Sequence, residues 1–323
     1  MFFESIKKEF ELELSQVDDV IKSGLVSNVD LINDVTNYII SHGGKRIRPI
    51  VTILLSKLLG YSGNKHIISA GVIELIHTAT LLHDDVVDVS EKRRGKMTVN
   101  SNWGNKEAIL VGDFLYTRSF QIVLNVEDFR VLKVISDSAN IMAEGESMQL
   151  VNKRNFEISE DAYFEIIKRK TAQLFSAASS ISSIITNSEF DIYNSVYNYG
   201  IHLGLAYQLI DDALDFLNDN SKFGKNVGDD IFEGIFTLPL IYARKNISLK
   251  EKKNLHDILD NYDKDKFKDV KNIVINSGAA EYVFKLALAE SDKAKNELCK
   301  LFPRSKYLDI ACVLSDFVVN RKY

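Results

Sequence analysis

Apolar residues recur at steps of three and four along most of this sequence, with little sustained alternation. That spacing collects apolar side chains on one face of an α-helix, so it predicts helices and not half-buried strands. Only three prolines, Pro49, Pro239 and Pro303, interrupt 323 residues, and no Gly-, Ser- or Pro-rich linker divides them. We therefore predict an all-α fold in which residues 1–323 form a single large domain.

An acidic pattern, Asp-Asp-x-x-Asp, occurs twice, each time inside a predicted helix. The two copies are Asp84, Asp85 and Asp88 in LLHDDVVD, and Asp211, Asp212 and Asp215 in YQLIDDALDF. Residues i and i+4 of a helix share a face and lie about 5.4 Å apart, so each copy projects carboxylates to one side. Carboxylates among Leu, Val and Ile need counter-ions, and an all-carboxylate set favours Mg²⁺. Because Mg²⁺ commonly bridges carboxylates to substrate phosphates, the two motifs predict a diphosphate site.

Basic residues in three predicted loops can supply the positive charge that a diphosphate site needs. They are Lys45, Arg46 and Arg48 in GGKRIRP, Arg93 and Arg94 after the first acidic motif, and Lys225 after the second. The planar guanidinium of arginine donates paired hydrogen bonds to phosphate, whereas lysine acts as a point charge. A single surface cation is ordinarily just solvated, but three such groups beside two acidic motifs predict phosphate binding.

Composition argues against several other classes of protein. The net charge of −5 and the lack of a basic stripe disfavour nucleic-acid binding. Cys299 and Cys312 lack the spacing of a common metal site, and no disulfide framework is expected. The start, MFFESIKKEF, does not resemble a secretory signal, and no apolar run approaches the roughly 18 residues of a membrane span. We expect a cytoplasmic protein.

The same periodicity sets approximate helix boundaries. Two helices are predicted within residues 1–41, broken near residues 24–28, and another helix from Ile50 to Leu59. Longer helices are predicted over residues 65–88, 105–123, 129–151, 159–186 and 189–217. The polar stretch before residue 105 is predicted to be a loop. The acidic motifs then lie at the ends of two long helices.

Together these motifs resemble the trans-type polyprenyl diphosphate synthases, which have the isoprenoid synthase fold. The resemblance extends over nearly all of residues 40–245 and is carried by GGKRIRP, HTATLLHDDVVD with RRG after it, VGDFLYTR, AEGE, KTAQLF, YQLIDDALD and GKNVGDD with TLPL. It is strongest to bacterial synthases that make octaprenyl diphosphate for quinone side chains. It implies a helical bundle around a central cavity, and a homodimer formed through helices at about 103–150.

The resemblance also implies roles for individual residues. The aspartates of both motifs would hold Mg²⁺, three ions with substrate bound, against the diphosphate of an allylic substrate such as farnesyl diphosphate. Direct contacts to that diphosphate would come from Arg93, Lys170 and Lys225. The diphosphate of isopentenyl diphosphate would be held by Lys45, Arg48, His77 and Arg94. Thr171 and Gln208 would steady the allylic cation that forms when diphosphate leaves, and the double bond of isopentenyl diphosphate would then attack that cation.

Product length stays open at this stage. Ala79 and Thr80 precede Asp84 by five and four positions, where short-chain relatives carry aromatic residues. Their small side chains imply an open tunnel and a long product, with a floor expected from Ile76, Ile122, Val123 or Ile135. The resemblance favours octaprenyl diphosphate, but geranylgeranyl, heptaprenyl and nonaprenyl diphosphates remain alternatives. The product would be delivered to a membrane, although no membrane span is expected.

Two rival functions share this fold, and a few other residues are expected to have lesser roles. A terpene cyclase would not need the isopentenyl diphosphate cations of GGKRIRP and RRG, and a non-catalytic subunit typically lacks one acidic motif. His83 is expected to orient a carboxylate or to point elsewhere. Glu144 and Glu146 are expected to be structural. The lesser candidates near a metal are Asp229 and Asp230, and Ile235 replaces a lysine of many relatives.

Overall fold

The computed structural model describes residues 2–41, 43–93, 95–217, 231, 233–261 and 266–321. Within these ranges the chain is almost entirely helical, and the sheet is a hairpin of two short strands, β1 (Lys92–Arg93) and β2 (Lys96–Met97). The predicted all-α class is therefore confirmed. The predictions for Arg94, Lys225, Asp229 and Asp230 concern residues outside these ranges.

The helices follow one another in a regular order. The first part of the chain forms α1 (Phe2–Glu9), α2 (Glu11–Gly24), α3 (Asp30–Ser41), α4 (Ile47–Leu58), α5 (Lys65–Val87), α6 (Val99–Trp103), α7 (Asn105–Val123) and α8 (Phe129–Val151). The second part forms α9 (Glu160–Ile167), a π-helical turn (Lys168–Ala172), α10 (Gln173–Ile185), α11 (Phe190–Leu217), α12 (Leu238–Asn246), α13 (Leu249–Asp260), α14 (Phe267–Asn276), α15 (Ala279–Cys299) and α16 (Lys306–Asn320).

Short polar side chains fix where several helices begin. Their oxygens accept hydrogen bonds from backbone N–H groups of the first turn, which have no partner inside the helix. Caps of this kind are Thr98 on α6, Asp128 on α8, Ser159 on α9, Ser248 on α13 and Ser305 on α16. At Ser248 the reciprocal bond from Glu251 completes a capping box. These helix starts lie close to the positions where the sequence changes from polar residues to apolar residues at helical spacing.

Helix α10 is the centre of the bundle, since every one of its residues is buried. It packs against α4, α5, α8 and α11. Helix α11 comes unusually close, because a Cβ at Gly200 would lie 2.5 Å from the Cα of Ser176, and one at Gly204 would lie 2.5 Å from the Cα of Ala172. Larger residues at these two positions would push α11 outward and displace the second acidic motif, which follows on the same helix.

Four predictions along the chain were wrong in detail. Residues 2–41 form three helices and not two, because α1 ends at Glu9 before α2 begins. Helix α4 begins at Ile47 and not at Ile50; Pro49 fits in its first turn, where a missing N–H costs nothing. The predicted loop before α7 contains the β1–β2 hairpin and α6. The helix predicted over 159–186 is interrupted by the π-helical turn.

Candidate functional site

Both acidic motifs lie at the C-terminal ends of long helices. Asp84 and Asp85 are in the last turn of α5, Asp88 is its C-cap, and the second motif occupies the last two turns of α11. The helix dipole makes this end negative, so each carboxylate there is destabilised by about 0.3–1 kcal/mol. Neither helix has a basic residue in its last turn. Cations from elsewhere in the fold must therefore balance these carboxylates.

The π-helical turn connects the two motifs through consecutive residues. The Thr171 hydroxyl donates to the side-chain oxygen of Gln208 over 2.9 Å, and the Gln208 amide donates to Asp212 over 2.7 Å. The preceding residue, Lys170, is close enough to Asp84 for that carboxylate to raise the lysine pKa, which burial by itself would lower. A π-helical turn shifts the register of a helix by one residue, and such turns are frequent at functional sites.

Lys170 also forms an ion pair with Glu146. Its Nζ donates to Oε2 of Glu146 over 2.8 Å. Burial raises the pKa of Glu146 to about 7; the charge of Lys170 opposes this rise, and the charges of Asp84 and Asp88 add to it. Glu146 was expected to be structural, and holding the ammonium group of Lys170 in place is consistent with that expectation. The carboxyl groups of Glu146, Asp84 and Asp88 together outnumber the single positive charge of Lys170.

The second and third aspartates of the first motif each meet a basic side chain. Arg93 donates from Nε and Nη2 to Oδ1 of Asp85, both over 2.8 Å. Lys153 donates to Oδ1 of Asp88 over 3.1 Å. Arg93 was a candidate from sequence and lies beside the motif as expected. Lys153 was missed, since it follows α8 and no local pattern ties it to a motif 65 residues earlier.

The second motif is held by two residues that sequence reasoning also missed. The Tyr163 hydroxyl donates to Oδ2 of Asp212 over 2.5 Å. Arg321, at the end of α16, donates to Oδ1 of Asp211 and to the backbone oxygen of Tyr207, each over 2.6 Å. The Arg321 guanidinium also lies 3.7 Å from the centre of the Tyr207 ring. Asp215 is half-buried one turn after Asp211.

The basic residues of GGKRIRP point in different directions. Arg46 donates to Glu74 over 2.7 Å and pairs with Asp18 over 3.1 Å, so it braces α4 against α5 and α2. Arg48 stacks over Phe175 with 4.4 Å to the ring centre. Burial raises the pKa of Tyr207, and the charge of Arg48 opposes this rise. Arg48 therefore faces α10 and α11, on the side of the second motif. Lys45 is half-buried in the loop before α4.

A cleft opens beside the first motif. Asp85, Arg93 and His77 lie among its polar lining residues, and Leu75, Leu81 and Leu82 among its apolar ones. Ala79 is fully buried and Thr80 bonds the backbone oxygen of His77 over 2.8 Å, and neither of them lines this cleft. His83 turns away from Asp84, with its Nε2 3.2 Å from the backbone oxygen of Ile109.

The donor set fits a hard divalent cation. Both motifs offer carboxylate oxygens only, at helix ends where added positive charge is favourable. Among the residues that the structure describes, no three His, Cys, Asp or Glu side chains already converge in a metal-site geometry. Asp85, Asp88, Asp211 and Asp212 instead bond the chain's own cations, amide and hydroxyl groups, so a metal would bind to them by exchange with these partners.

Comparison with known proteins finds similarities that extend over most of this chain. The model of the family described as polyprenyl synthetase matches residues 29–276. The octaprenyl diphosphate synthase of Escherichia coli (strain K12) is 39% identical over 322 residues, which cover 99% of each chain. Among the described helices, none combines the length and the apolar character needed to cross a membrane.

Two solved structures are similar over nearly the whole chain. A polyprenyl synthase from Caulobacter crescentus, complexed with calcium and isoprenyl diphosphate, has a TM-score of 0.95 and 35% identity and covers 99% of this chain and 98% of its own. A decaprenyl diphosphate synthase from Rhodobacter capsulatus has a TM-score of 0.92 and 34% identity, with 98% of each chain covered. The helical bundle described above is therefore the fold of these proteins.

Proposed function

Since this chain belongs to the polyprenyl synthetase family and is a prenyltransferase, we propose that it extends an allylic diphosphate with isopentenyl diphosphate to give octaprenyl diphosphate. The observation that carries this proposal is the connection of both acidic motifs through Lys170, Thr171 and Gln208. Identity of 39% with an octaprenyl diphosphate synthase supports the chain length. Farnesyl diphosphate is the primer we propose.

The six motif aspartates hold the metal in this proposal. Divalent metal is a property of the family, and we propose Mg²⁺, with three ions bound in the presence of substrate. When bound, Mg²⁺ neutralises charge on the diphosphate as it leaves the allylic carbon. The ligands are Asp84, Asp85, Asp88, Asp211, Asp212 and Asp215. Tyr163 and Gln208 support the assignment, because they orient both oxygens of Asp212 by hydrogen bonds.

The chain's own cations bind the two diphosphates. Lys170 and Arg93 donate to the allylic diphosphate from positions next to the first motif, and Lys225 joins them from outside the described residues. Lys45, Arg48 and His77 hold isopentenyl diphosphate, together with Arg94. A phosphate oxygen accepts from ammonium or guanidinium as well as a carboxylate does, so Arg93 can pass from Asp85 to substrate.

The allylic cation is steadied by fixed dipoles. The Thr171 hydroxyl donates to the side-chain oxygen of Gln208, and the Gln208 amide nitrogen donates to Asp212, so neither the Thr171 nor the Gln208 oxygen needs to reorient as positive charge develops. The double bond of isopentenyl diphosphate attacks the cation, and the proton lost afterwards passes to the departed diphosphate. No protein nucleophile takes part in this sequence.

We place the enzyme in the cytoplasm as a homodimer with one domain per chain, passing its product to a membrane for quinone side chains. Exposed apolar residues on α7 and α8 support an interface there: Leu110 is 64% exposed, Phe129 84% and Leu150 57%. Light scattering of the purified protein would measure the dimer directly. A monomer at micromolar concentration would contradict it.

One assay tests the reaction class. Purified protein is incubated with farnesyl diphosphate, isopentenyl diphosphate and Mg²⁺, and the extracted lipid is sized by mass spectrometry. We expect elongated diphosphates without any added partner protein, and their loss when EDTA removes the metal. Cyclic hydrocarbon products would indicate a terpene cyclase, and absence of any product would indicate a non-catalytic subunit.

Variants of the motifs sharpen this assay. Asp84→Ala and Asp211→Ala should each lower turnover by at least about a hundredfold, since each removes a ligand of the charge-neutralising metal. Asp191→Ala is the matched control, because Asp191 is exposed in the first turn of the same helix as Asp211. Turnover near that of the control in either motif variant would contradict the metal assignment.

A further inference from the structure

Helices α15 and α16 bring the two cysteines of this chain together. Cys299 is the last residue of α15 and Cys312 lies in the middle of α16. Their Sγ atoms are 3.9 Å apart, although the residues are 13 positions apart in sequence. Cys299 is exposed and Cys312 is half-buried, and both are free thiols. A disulfide framework was not expected from sequence, because the chain shows no secretory signal.

The thiols are held opposite each other by the packing of the two helices. One turn before Cys299, Lys295 donates to Asp316, one turn after Cys312, over 2.6 Å. In an antiparallel helix pair, a residue one turn earlier on one helix lies beside a residue one turn later on the other. The two contacts therefore fit a single alignment of α15 and α16. Ser305 caps the start of α16 and fixes where the second helix begins. The sulfur atoms therefore face each other at a defined position in the fold.

We propose that Cys299 and Cys312 form a reversible disulfide that links α15 to α16. Closing the bond brings the sulfur atoms from 3.9 Å to about 2.05 Å, a shift that side-chain rotation and small helix movements can supply. The oxidant is a small-molecule disulfide such as oxidised glutathione. The site is on the C-terminal hairpin, and its chemistry does not depend on the prenyl transfer proposed above.

The exchange proceeds in two balanced steps. The thiolate of Cys299 attacks one sulfur of oxidised glutathione, and one glutathione leaves as a thiolate. The thiolate of Cys312 then attacks the Sγ of Cys299 and expels the second glutathione. Two protein thiols have lost two electrons and two protons, and one glutathione disulfide has become two glutathione thiols. A dithiol reductant reverses both steps.

Exposure decides which thiol reacts first. Burial raises the pKa of Cys312 to about 11, and the neighbouring Cys299 thiol adds to this rise. Cys312 therefore has little thiolate and limited access to an oxidant, whereas Cys299 is open to solvent. Once Cys299 carries glutathione, it can no longer become a thiolate. The Cys312 thiolate then faces an electrophilic sulfur and is no longer repelled by a negative charge on Cys299.

The link would restrain the helix that reaches the second acidic motif. Arg321 lies nine residues after Cys312, about 14 Å along α16, and contacts Asp211. A disulfide closes a short loop through residues 300–311 and removes conformations that the unfolded chain would otherwise populate. Oxidation is therefore expected to raise the melting temperature of the full chain by a few degrees.

The first experiment counts thiols and mass. Full-length protein is incubated with oxidised glutathione at neutral pH, quenched with acid and analysed by intact mass and thiol titration. We expect loss of two hydrogen atoms, no free thiols and no bound glutathione, with full recovery in dithiothreitol. Wild-type protein that keeps two thiols, or that retains bound glutathione or forms a cross-linked dimer in place of the internal bond, would overturn the proposal.

Single-cysteine variants provide matched controls. Cys312→Ser should stop after the first step and keep one glutathione on Cys299, whereas Cys299→Ser should react much more slowly. Wild-type protein should melt a few degrees higher after oxidation, and Cys312→Ser should show no such rise. Equal melting temperatures for oxidised and reduced wild-type protein would refute the restraint of α16. Because serine preserves the size of the side chain, both variants should fold.

Discussion

Replacing Arg321 by glutamine should lower the free energy of unfolding by about 2–3 kcal/mol in metal-free buffer. The Arg321 side chain is 1% exposed, so its contacts are shielded from water. It donates to Asp211 and to the backbone oxygen of Tyr207, and it stacks on the Tyr207 ring. Glutamine removes the charge and the stacking but can still donate one hydrogen bond. The substitution therefore tests what the positive charge of Arg321 contributes to stability.

The magnitude follows from the separate contacts. A hydrogen bond to a charged group contributes roughly 1.5–3 kcal/mol, and a cation over an aromatic ring about 0.5–2 kcal/mol. The Asp211 side chain is 31% exposed, so the ion pair belongs at the low end of its range. A bond from glutamine to Tyr207 recovers part of the loss. The sum is about 2–3 kcal/mol.

Urea denaturation of Arg321→Gln, Asp211→Asn and the double variant measures both the loss and the coupling. We expect a coupling energy of about 1–2 kcal/mol, since each single change removes the same ion pair. Chelator must be present, because a metal ion on Asp211 would replace the guanidinium. Arg304→Gln is the matched control: Arg304 is 89% exposed and lies 3.5 Å from Asp309. A coupling near zero, or a loss no larger than that of the control, would refute the reasoning.

Three further results are expected. Because burial and the two nearby aspartates raise the pKa of Glu146 to about 7 from 4.5, the folded state binds more protons than the unfolded state between these values. The stability that this proton contributes is fully present below pH 4.5 and is lost as the pH rises through about 7. In metal-free buffer, the melting temperature of Glu146→Gln should therefore rise relative to that of wild type across this pH range. Parallel profiles of melting temperature against pH for the two proteins would contradict this. Lys45→Ala should raise the apparent KM for isopentenyl diphosphate about ten- to a hundredfold and the KM for the primer far less; equal changes would mean the sites are misassigned. Ala79→Phe tests whether the product tunnel runs apart from the cleft beside the first motif, which Ala79 does not line. We expect a shorter product by mass spectrometry, because an aromatic ring would obstruct a tunnel that passes this residue, and an unchanged product would place the tunnel elsewhere.

Local sequence pattern predicted the long helices well and the irregular backbone poorly. Helices α7 and α8 match their predicted ranges, because periodicity and start signals act within a few residues. The π-helical turn within 159–186 was not predicted, since a register shift of one residue leaves no pattern in composition. It is this turn that places Lys170 and Thr171 between the motifs. The missed feature is therefore part of the site's construction.

The partners of the acidic motifs show a second limit of sequence reasoning. Arg93 was found because it follows its motif closely, whereas Lys153 and Arg321 come from distant parts of the chain. Only the fold brings them to Asp88 and Asp211, and each resembles an ordinary basic residue beyond a helix end. Nothing in either residue's neighbours distinguishes it from a solvated cation.

These internal cations explain how two acidic motifs can exist at helix C-termini before metal binds. Removing one partner of a shielded ion pair strands the other charge, which costs several kcal/mol, so carboxylates at that end require compensation at all times. Arg93, Lys153 and Arg321 provide it in three separate pairs. In the proposed mechanism, divalent metal and diphosphate add charges of both signs, so the carboxylates would bind metal while Arg93 turns to a phosphate oxygen. Arg93 would then stabilise Asp85 in the metal-free protein and the leaving group in the substrate complex, so metal and substrate are expected to bind cooperatively.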